Sequence, residues 1–283
     1  MNKALKIFNN TVLESSSGKK LSLDLRFFES DEKKPLIIFV HGFKGFRNWG
    51  CFDLMANKIA ENGLIVLKMN FSHNGTTVEN PSEFDALEAF AKNTLSKELA
   101  DIETVLAFIK SDNFPAKNDF NSSINIIGHS RGGVSALIAA NKTKAFDKII
   151  TWASPSYFQE RFKPEEIAYW KENGRIYIDN ARTGQKMPMD YDIAEDFLKN
   201  KEDYEPINNA QKLEIPYLVV HGTNDKTVDV NCAYKLMKNS QKASLFVINN
   251  GEHTFGATHP YVAENLPKDF QIILDTSISF IKN

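Results

Sequence analysis

Cysteine is scarce in this sequence, and its two cysteines, Cys51 and Cys232, stand far apart. Neither belongs to a Cys-x-x-Cys pair, so the sequence predicts neither a disulfide framework nor a cysteine-bound metal. Long apolar runs are also missing, since none approaches the roughly 20 residues that span a bilayer. Residues 1–20 alternate polar and apolar side chains and lack the continuous apolar segment of a signal peptide. From these absences we expect a soluble, cytoplasmic protein.

An excess of one charge is absent as well. Lys and Arg number 34 against 36 Asp and Glu, and the formal net charge is −2. A balanced surface gives no attraction toward nucleic acid or acidic membranes, so we expect neither as a partner, while the oligomeric state stays open. The six histidines form no His-x-x-x-His pair, and the phosphate-loop pattern Gly-x-x-x-x-Gly-Lys-Ser/Thr is missing. We therefore expect no metal and no nucleotide cofactor.

What the sequence does contain is a regular alternation of strand and helix patterns. Residues 4–14 and 21–28 predict an antiparallel hairpin, and the period of two in the second segment predicts that one side faces solvent. From Pro35 onward, continuously apolar strands alternate with amphipathic helices, which indicates a mostly parallel sheet with helices on both faces. We therefore predict an α/β fold that forms a single domain over residues 1–283.

The alternation breaks over residues 157–212, a segment that is rich in aromatic side chains. Residues 175–178 and 186–189 predict two short strands, and residues 191–200 predict a helix. Because about 56 residues form only a marginal core alone, we interpret this segment as a lid or cap insertion in the main domain. Its aromatic residues either form the core of the insertion or line a substrate pocket, and the sequence leaves both interpretations open.

The pattern Gly-x-Ser-x-Gly occupies residues 128–132, between an apolar strand-like run and a run of small residues. This order is typical of a nucleophile elbow, a sharp strand-to-helix turn that exposes a serine hydroxyl. Gly128 and Gly132 suit such a turn, because a β-carbon at either position would collide with neighbouring backbone. Ser130 is therefore the candidate nucleophile, although the same pattern also occurs in ordinary turns.

A serine hydroxyl needs a base that takes its proton and a group that orients the base. Asp225 follows the strand that ends at residue 220, and His253 follows the strand that ends at residue 248. Since the carboxyl ends of parallel strands meet at one edge of a sheet, we predict that both side chains lie near Ser130. Other candidates also lie near strand ends: Asp229 for the acid, and His73 and His259 for the base.

The remaining histidines have different expected roles. His41 and His221 each precede a glycine at a strand end, and we predict that both make structural hydrogen bonds. His129 lies inside the elbow, where its side chain either packs or helps to shape the site.

From Pro35 to Asn283 the chain resembles an α/β-hydrolase. Four pieces match in order: His-Gly-Phe at residues 41–43, the elbow around Ser130, the Gly-x-x-Asp that ends at Asp225, and His253. The order Ser, Asp, His along the chain is the one found in that superfamily. Within it, residues 41–45 and the hairpin-bearing insertion resemble the cinnamoyl/feruloyl esterases and the dienelactone-hydrolase-like serine hydrolases.

The resemblance implies a role for each candidate residue. Ser130 would attack an acyl carbonyl, His253 would take its proton and later deliver one, and Asp225 would hold the imidazole. The backbone N–H groups of Phe43 and Arg131 would form the oxyanion hole.

The implied function is a serine carboxylic-ester hydrolase that acts through an acyl-enzyme on small apolar or aromatic, cinnamoyl-like esters. Candidate substrate contacts are Phe43, His129, Asn180 and Tyr191. An aminopeptidase or acyl-peptide hydrolase with the same triad is the alternative, and a non-catalytic binding module is a third hypothesis.

Overall fold

The computed structural model of the protein describes residues 4–157 and 163–283. The strands in that part of the chain are β1 (Leu5–Glu14), β2 (Lys20–Phe28), β3 (Lys34–Val40), β4 (Ile65–Asn70), β5 (Phe120–His129), β6 (Lys148–Trp152), β7 (Arg175–Asn180), β8 (Gln185–Asp190), β9 (Tyr217–Gly222) and β10 (Ala243–Ile248). The helices there are α1 (Phe52–Glu61), α2 (Leu87–Ala91), α3 (Leu95–Lys110), α4 (Arg131–Thr143), α5 (Pro164–Asn173), α6 (Asp192–Lys199), α7 (Lys201–Tyr204), α8 (Pro206–Lys212), α9 (Asn231–Asn239) and α10 (Lys268–Lys282).

Eight of these described strands form one sheet in the order β1-β2-β4-β3-β5-β6-β9-β10. Strand β2 runs antiparallel to both of its neighbours, β1 and β4. Every neighbouring pair from β4 to β10 is parallel. The predicted α/β architecture, a mostly parallel sheet with an antiparallel amino-terminal hairpin, is therefore confirmed.

Both faces of the sheet are buried under helices. Strand β3 is fully buried over residues 36–40, which explains why its sequence is continuously apolar. Helices α3, α4 and α9 pack on one face, and α1 and α10 pack on the other. The turns that follow the parallel strands therefore carry the groups that can meet a ligand.

The predicted solvent-facing side of the amino-terminal hairpin is wrong. Ser22, Asp24 and Arg26 alternate with leucines along β2, yet all three side chains are buried. The reason is that β2 has a strand on either side and α1 packed over it, so neither of its sides reaches water. Its polar side is stabilised by pairing of charges instead of hydration.

Asp24 lies at the centre of this buried charge cluster. Its Oδ2 is 3.0 Å from Nε of Arg47 and 3.8 Å from Nζ of Lys68, and none of the three side chains is more than 2% exposed. Its Oδ1 accepts a hydrogen bond of 2.8 Å from the backbone N–H of Asn10. Burial lowers the pKa of Lys68 to about 8, although Asp53 and Asp24 favour its charged form. Such a cluster tolerates the loss of one partner poorly, because the other charges remain buried.

The segment at residues 157–212 contains the two short strands and the helix that the sequence predicts, as β7, β8 and α6. Residues 158–162 of this segment lie outside the described residues. Helices α5, α7 and α8 were not predicted; in α5 only Trp170 is buried, so the helix shows no apolar stripe. Trp170, Met187 and Met189 pack against Phe46 and Phe84, which lie earlier in the chain.

Replacing Asp24 by alanine should lower the free energy of unfolding by about 3–5 kcal/mol, because Arg47 and Lys68 would stay buried without their shared carboxylate. Urea unfolding near neutral pH measures the change. Glu61→Ala is the control, since it removes an exposed carboxylate that pairs with Lys58 on the surface. That loss should be below about 1 kcal/mol, and equal losses in the two variants would contradict the assignment.

Candidate active site

Ser130 lies at the sharp turn between β5 and α4. Its backbone has φ 54° and ψ −124°, a left-handed conformation that few residues other than glycine adopt. A β-carbon on Gly132 would come within 2.5 Å of the carbonyl oxygens of Val40 and His41, so no larger residue fits there. The positive φ of Ser130 costs about 1–3 kcal/mol and persists only because the surrounding structure imposes it.

The structure brings Ser130, His253 and Asp225 together in one chain of hydrogen bonds. His253 Nδ1 lies 2.8 Å from Asp225 Oδ2, and His253 Nε2 lies 3.1 Å from Ser130 Oγ. Since a carboxylate only accepts, Nδ1–H is the donor, which leaves Nε2 to accept the serine proton. In this arrangement His253 can take the proton of Ser130 Oγ, which activates the hydroxyl for nucleophilic attack.

The turns after β9 and β10, which carry the acid and the base, are bonded to each other. The backbone N–H of Asn224 donates to the carbonyl oxygen of Gly251 at 2.9 Å, and that of Thr223 donates to Ile248 at 3.0 Å. The distance between Asp225 and His253 is therefore set by main-chain contacts, which are stiffer than a pair of free side chains.

The Asp225 side chain is fully buried, and its environment keeps it charged. Burial alone would raise its pKa, but hydrogen bonds from His221 and His253 and from the backbone of Val228 hold the pKa well below its usual range. His221 Nε2 also donates to the carbonyl oxygen of Val228 at 2.9 Å, a structural bond of the predicted kind. Asp225 Oδ1 accepts from the N–H of Thr227 at 2.8 Å, which leaves Oδ2 directed at the imidazole.

The other candidates for acid and base are placed elsewhere. Asp229 is exposed and accepts a hydrogen bond from the backbone N–H of Asn231 at the start of α9. His259 accepts from the N–H of Gly50 at 2.9 Å, and His73 bonds to its neighbour Ser72. None of them takes part in the chain of bonds that leads to Ser130.

The loop after β3 lies directly against the nucleophile. A β-carbon on Gly42 would be 2.9 Å from Cβ of Ser130, so the loop backbone that leads into Phe43 faces the site. His41 Nδ1 donates to the carbonyl oxygen of Gly42 at 2.8 Å, the structural bond predicted for it. Burial lowers the pKa of His41 to about 4, so this bond comes from a neutral ring.

A second buried ion pair supports the two residues expected to form the oxyanion hole. Arg131 Nε lies 2.9 Å from Glu98 Oε1, and its Nη2 donates to the carbonyl oxygen of Asn93. The same guanidinium lies over the ring of Phe43, with 5.6 Å from Cζ to the ring centroid. Burial raises the pKa of Glu98 despite the Arg131 charge. Glu98 was not predicted from the sequence, although an acidic residue in the apolar stripe of α3 is a signal for such a role.

His129 positions the base through a hydrogen bond to its backbone. Its Nε2 donates to the carbonyl oxygen of His253 at 2.9 Å, and the two rings lie 4.9 Å apart. Burial lowers the pKa of His129 to about 3, so this ring is a neutral donor. The side chain therefore helps to shape the site and takes no part in the proton path.

A cavity of about 230 Å³ opens beside Ser130 and His253. Three of the four candidate substrate contacts line it, namely Phe43, His129 and Asn180. The fourth, Tyr191, is not among its lining residues and packs instead against Trp170, with 6.4 Å between ring centroids. Lining side chains that were not predicted as contacts from the sequence include Lys44, Trp49, Phe52, Arg182 and Thr254.

Among the described residues, no group of three or more His, Cys, Asp or Glu side chains could hold a metal ion. In the same part of the chain, no helix is long and apolar enough to cross a membrane.

Comparison with known proteins gives one family and a consistent fold. A family model described as BD-FAE matches residues 23–239, and no curated protein matched the sequence. Est1E from Butyrivibrio proteoclasticus with bound ferulic acid is 21% identical, with a TM-score of 0.71 over 96% of this chain and 97% of that chain. Alpha/beta hydrolase domain-containing protein 10 from mouse is 17% identical, with a TM-score of 0.68 over 96% and 98% of the two chains. An acetyl xylan esterase from Paenibacillus sp. R4 is 15% identical, with a TM-score of 0.67 over 99% and 85%. These structures establish the α/β-hydrolase fold and leave the reaction to be argued from the site.

The charged state of Asp225 should make the stability of the protein depend on pH. Hydrogen bonds depress its folded-state pKa, so its contribution is complete above the ordinary aspartate value of about 4 and is lost as pH falls below that value. We expect the wild type to exceed Asp225→Asn in unfolding free energy by about 2 kcal/mol at about pH 6, with a gap that narrows toward about pH 3.

Urea unfolding across this range measures the gap. Ser130→Ala keeps the Asp225 carboxylate and should show the same pH dependence as the wild type. A gap between the wild type and Asp225→Asn that stays constant with pH would contradict the assignment.

Proposed function

We propose that this chain, which belongs to the BD-FAE family, is a serine carboxylic-ester hydrolase that acts through an acyl-enzyme intermediate. The observation that carries the proposal is the hydrogen-bonded series Ser130, His253 and Asp225 at the wall of a cavity. A serine, a neutral imidazole acceptor and a buried carboxylate in this order constitute the machinery of acyl transfer.

In the first step, Ser130 Oγ attacks the ester carbonyl while His253 Nε2 takes its proton. Asp225 stabilises the imidazolium that results, and its low pKa keeps it charged throughout. The backbone N–H groups of Phe43 and Arg131 donate to the oxyanion, and each such donor contributes on the order of a hundredfold or more to the rate. Collapse of the tetrahedral intermediate expels the alcohol, which receives the proton held by His253.

In the second step, water takes the place of the alcohol. His253 removes a proton from the water as it attacks the acyl carbon, and then returns a proton to Ser130 Oγ as the acid leaves. The ion pair between Arg131 and Glu98 keeps the oxyanion loop in place through both steps, because the Arg131 side chain contacts Phe43. The protein's own groups supply this chemistry in full.

The proposed substrates are small apolar or aromatic esters, including cinnamoyl-like esters. Rings of Phe43, Trp49 and Phe52 line the cavity, and its volume of about 230 Å³ suits a small acyl group. The ferulic acid bound to Est1E is an aromatic acid of this general size, which supports the proposal at the level of substrate class.

We assign residues 157–212 as a cap on the site. The turn between β7 and β8 contributes Asn180 and Arg182 to the cavity wall. Arg175, at the start of β7, donates to both carboxylate oxygens of Glu88 in α2 at 2.8 Å each, which anchors the hairpin. A cap of this kind limits the access of bulk water, while admitting the single water that attacks the acyl-enzyme, and strengthens the electrostatic interactions inside.

Ser130→Ala should lower turnover of a p-nitrophenyl ester by about 10⁴-fold or more, because the nucleophile is lost. The wild type should release a burst of p-nitrophenol and take up one equivalent of an organophosphonate on Ser130, as measured by peptide mass spectrometry. Ser123→Ala, on the same strand, is the control and should behave as the wild type. Full turnover by Ser130→Ala would refute the proposal.

The same preparation should be assayed with aminoacyl amides. We expect esters to be cleaved and amides to be cleaved much more slowly, since no Asp or Glu among the described residues lines the cavity to pair with the ammonium group of an aminoacyl amide. Faster cleavage of amides would favour an aminopeptidase or acyl-peptide hydrolase.

A further inference from the structure

Two hydrogen-bond donors in the cavity wall have no acceptor from the protein. Nδ2 of Asn180 and Nη2 of Arg182 are buried and lack a hydrogen-bond partner among the described residues. The Asn180 side chain is only 4% exposed, and both residues line the cavity that contains Ser130. A buried donor without an acceptor is costly, so the pair indicates that something that accepts hydrogen bonds enters the cavity.

The turn between β7 and β8 holds these donors in fixed positions. The carbonyl oxygen of Asn180 accepts from the backbone N–H groups of Thr183 and Gly184 at 3.1 and 2.8 Å. Asn180 Oδ1 accepts from the N–H of Arg182 at 3.3 Å, which fixes the orientation of the amide and links the two residues. The turn therefore fixes the backbone around both donors, which lowers the entropic cost of ordering them when a ligand binds.

The Arg182 guanidinium packs against two neighbouring aromatic rings. Its Cζ is 5.4 Å from the centroid of Phe46 and 5.5 Å from the centroid of Phe84. Contacts with ring faces stabilise the positive charge but do not accept the N–H hydrogens, which project from the edge of the guanidinium plane. The rings thus hold the group in place and leave its donors for another partner.

The charges around the cavity favour an anion. Its lining residues include the cations Lys44 and Arg182 and no Asp or Glu among the described residues. Lys44 Nζ donates to the carbonyl oxygen of Asp179, so this charge is held beside the same turn. The Arg182 charge is felt nearby, since burial and then this charge lower the pKa of His259.

We propose that Asn180 and Arg182 bind a carboxylate carried by the ester substrate, so that small aromatic esters with a carboxylate on the acyl group or on the alcohol are preferred over neutral ones. This inference rests on the proposed function of Ser130, because the two sites share one cavity. A planar guanidinium and an amide N–H₂ give charge-assisted hydrogen bonds to the two carboxylate oxygens. The substrate would thus be held at two points, its ester at Ser130 and its carboxylate at the β7–β8 turn.

Matched pairs of rigid esters test the proposal. On the acyl side, monomethyl terephthalate is compared with methyl 4-methylbenzoate, which has a methyl group in place of the carboxylate. On the alcohol side, 4-carboxybenzyl butyrate is compared with 4-methylbenzyl butyrate. The measured quantity is the ratio of kcat/KM for the charged ester to that for the neutral ester in each pair.

In the wild type, we expect this ratio to be about ten or more in at least one pair, since hydrogen bonds to charged groups are among the stronger ones. Arg182→Gln should lower the ratio about tenfold to hundredfold, mainly through KM, and Asn180→Ala should lower it several-fold. Arg182→Lys should recover part of the ratio, because it keeps the charge and loses the planar donors. Lys186→Gln removes an exposed cation from the same hairpin and should leave the ratio unchanged.

The outcomes separate this inference from the proposed function. Labelling of Ser130 by the phosphonate shows, in the wild type and in each variant, that the site is folded and reactive. If labelling and neutral-ester hydrolysis occur but no pair shows a charge preference, Asn180 and Arg182 do not bind a substrate carboxylate. The proposed esterase function then stands, and only this inference is refuted. A preference that survives Arg182→Gln would also overturn it. If the wild type is neither labelled nor active, the proposed function fails and this inference fails with it.

Discussion

The close contact between the end of β3 and the turn at Ser130 is the constraint on which the site depends. Gly132 lies against the carbonyl oxygens of Val40 and His41, and Gly42 lies against Ser130 itself, with no space for a side chain at either glycine. This contact places the nucleophile and the loop of the expected oxyanion hole together without any contribution from flexible side chains. The acid and the base are positioned in a similar way, because the turn that carries the acid donates two main-chain hydrogen bonds to the segment that leads to the base. Precise geometry here comes from backbone packing, which large side-chain motions do not disturb.

Buried charge is used repeatedly in this protein, and in different ways. Asp24 pairs with Arg47 and Lys68 beneath α1, and none of the three lines the cavity. Glu98 and Arg131 also neutralise each other, but they do so behind the elbow, where the pair contacts Phe43. Arg182 differs from both, because its charge faces rings instead of a carboxylate. In the first two clusters the cations are paired with carboxylates of the protein, whereas Arg182 keeps an N–H donor at Nη2 without an acceptor among the described residues.

Sequence patterns were sufficient for the sheet and for the order of its elements. Continuous apolar strands and the elbow pattern can be recognised from short stretches of sequence. Because the carboxyl ends of parallel strands meet at one edge of the sheet, the turns that follow them could also be expected to lie together. The alternation in β2 was misinterpreted, because a buried polar side has the same period of two as a wet one. Helix α5 was missed although Pro164 at its first turn and Gly174 at its end are typical boundary signals, because most of its side chains are exposed. Tyr191 and Arg182 show the limit most clearly: which side chain of the insertion faces the cavity depends on long-range packing that no local pattern records.

The two unlike sides of β2 also determine how the amino-terminal hairpin can align. Leu23 faces apolar side chains on one side of the sheet, while Asp24 faces Arg47 and Lys68 on the other. A slip of one residue against β4 would exchange these sides and bury a leucine against two cations while the carboxylate entered the apolar core. In an edge hairpin with one solvent-facing side, only the apolar side opposes such a slip, whereas here both sides oppose it. The charge cluster thus specifies the register of β2 against β4. It disfavours misaligned pairings as well as stabilising the native one.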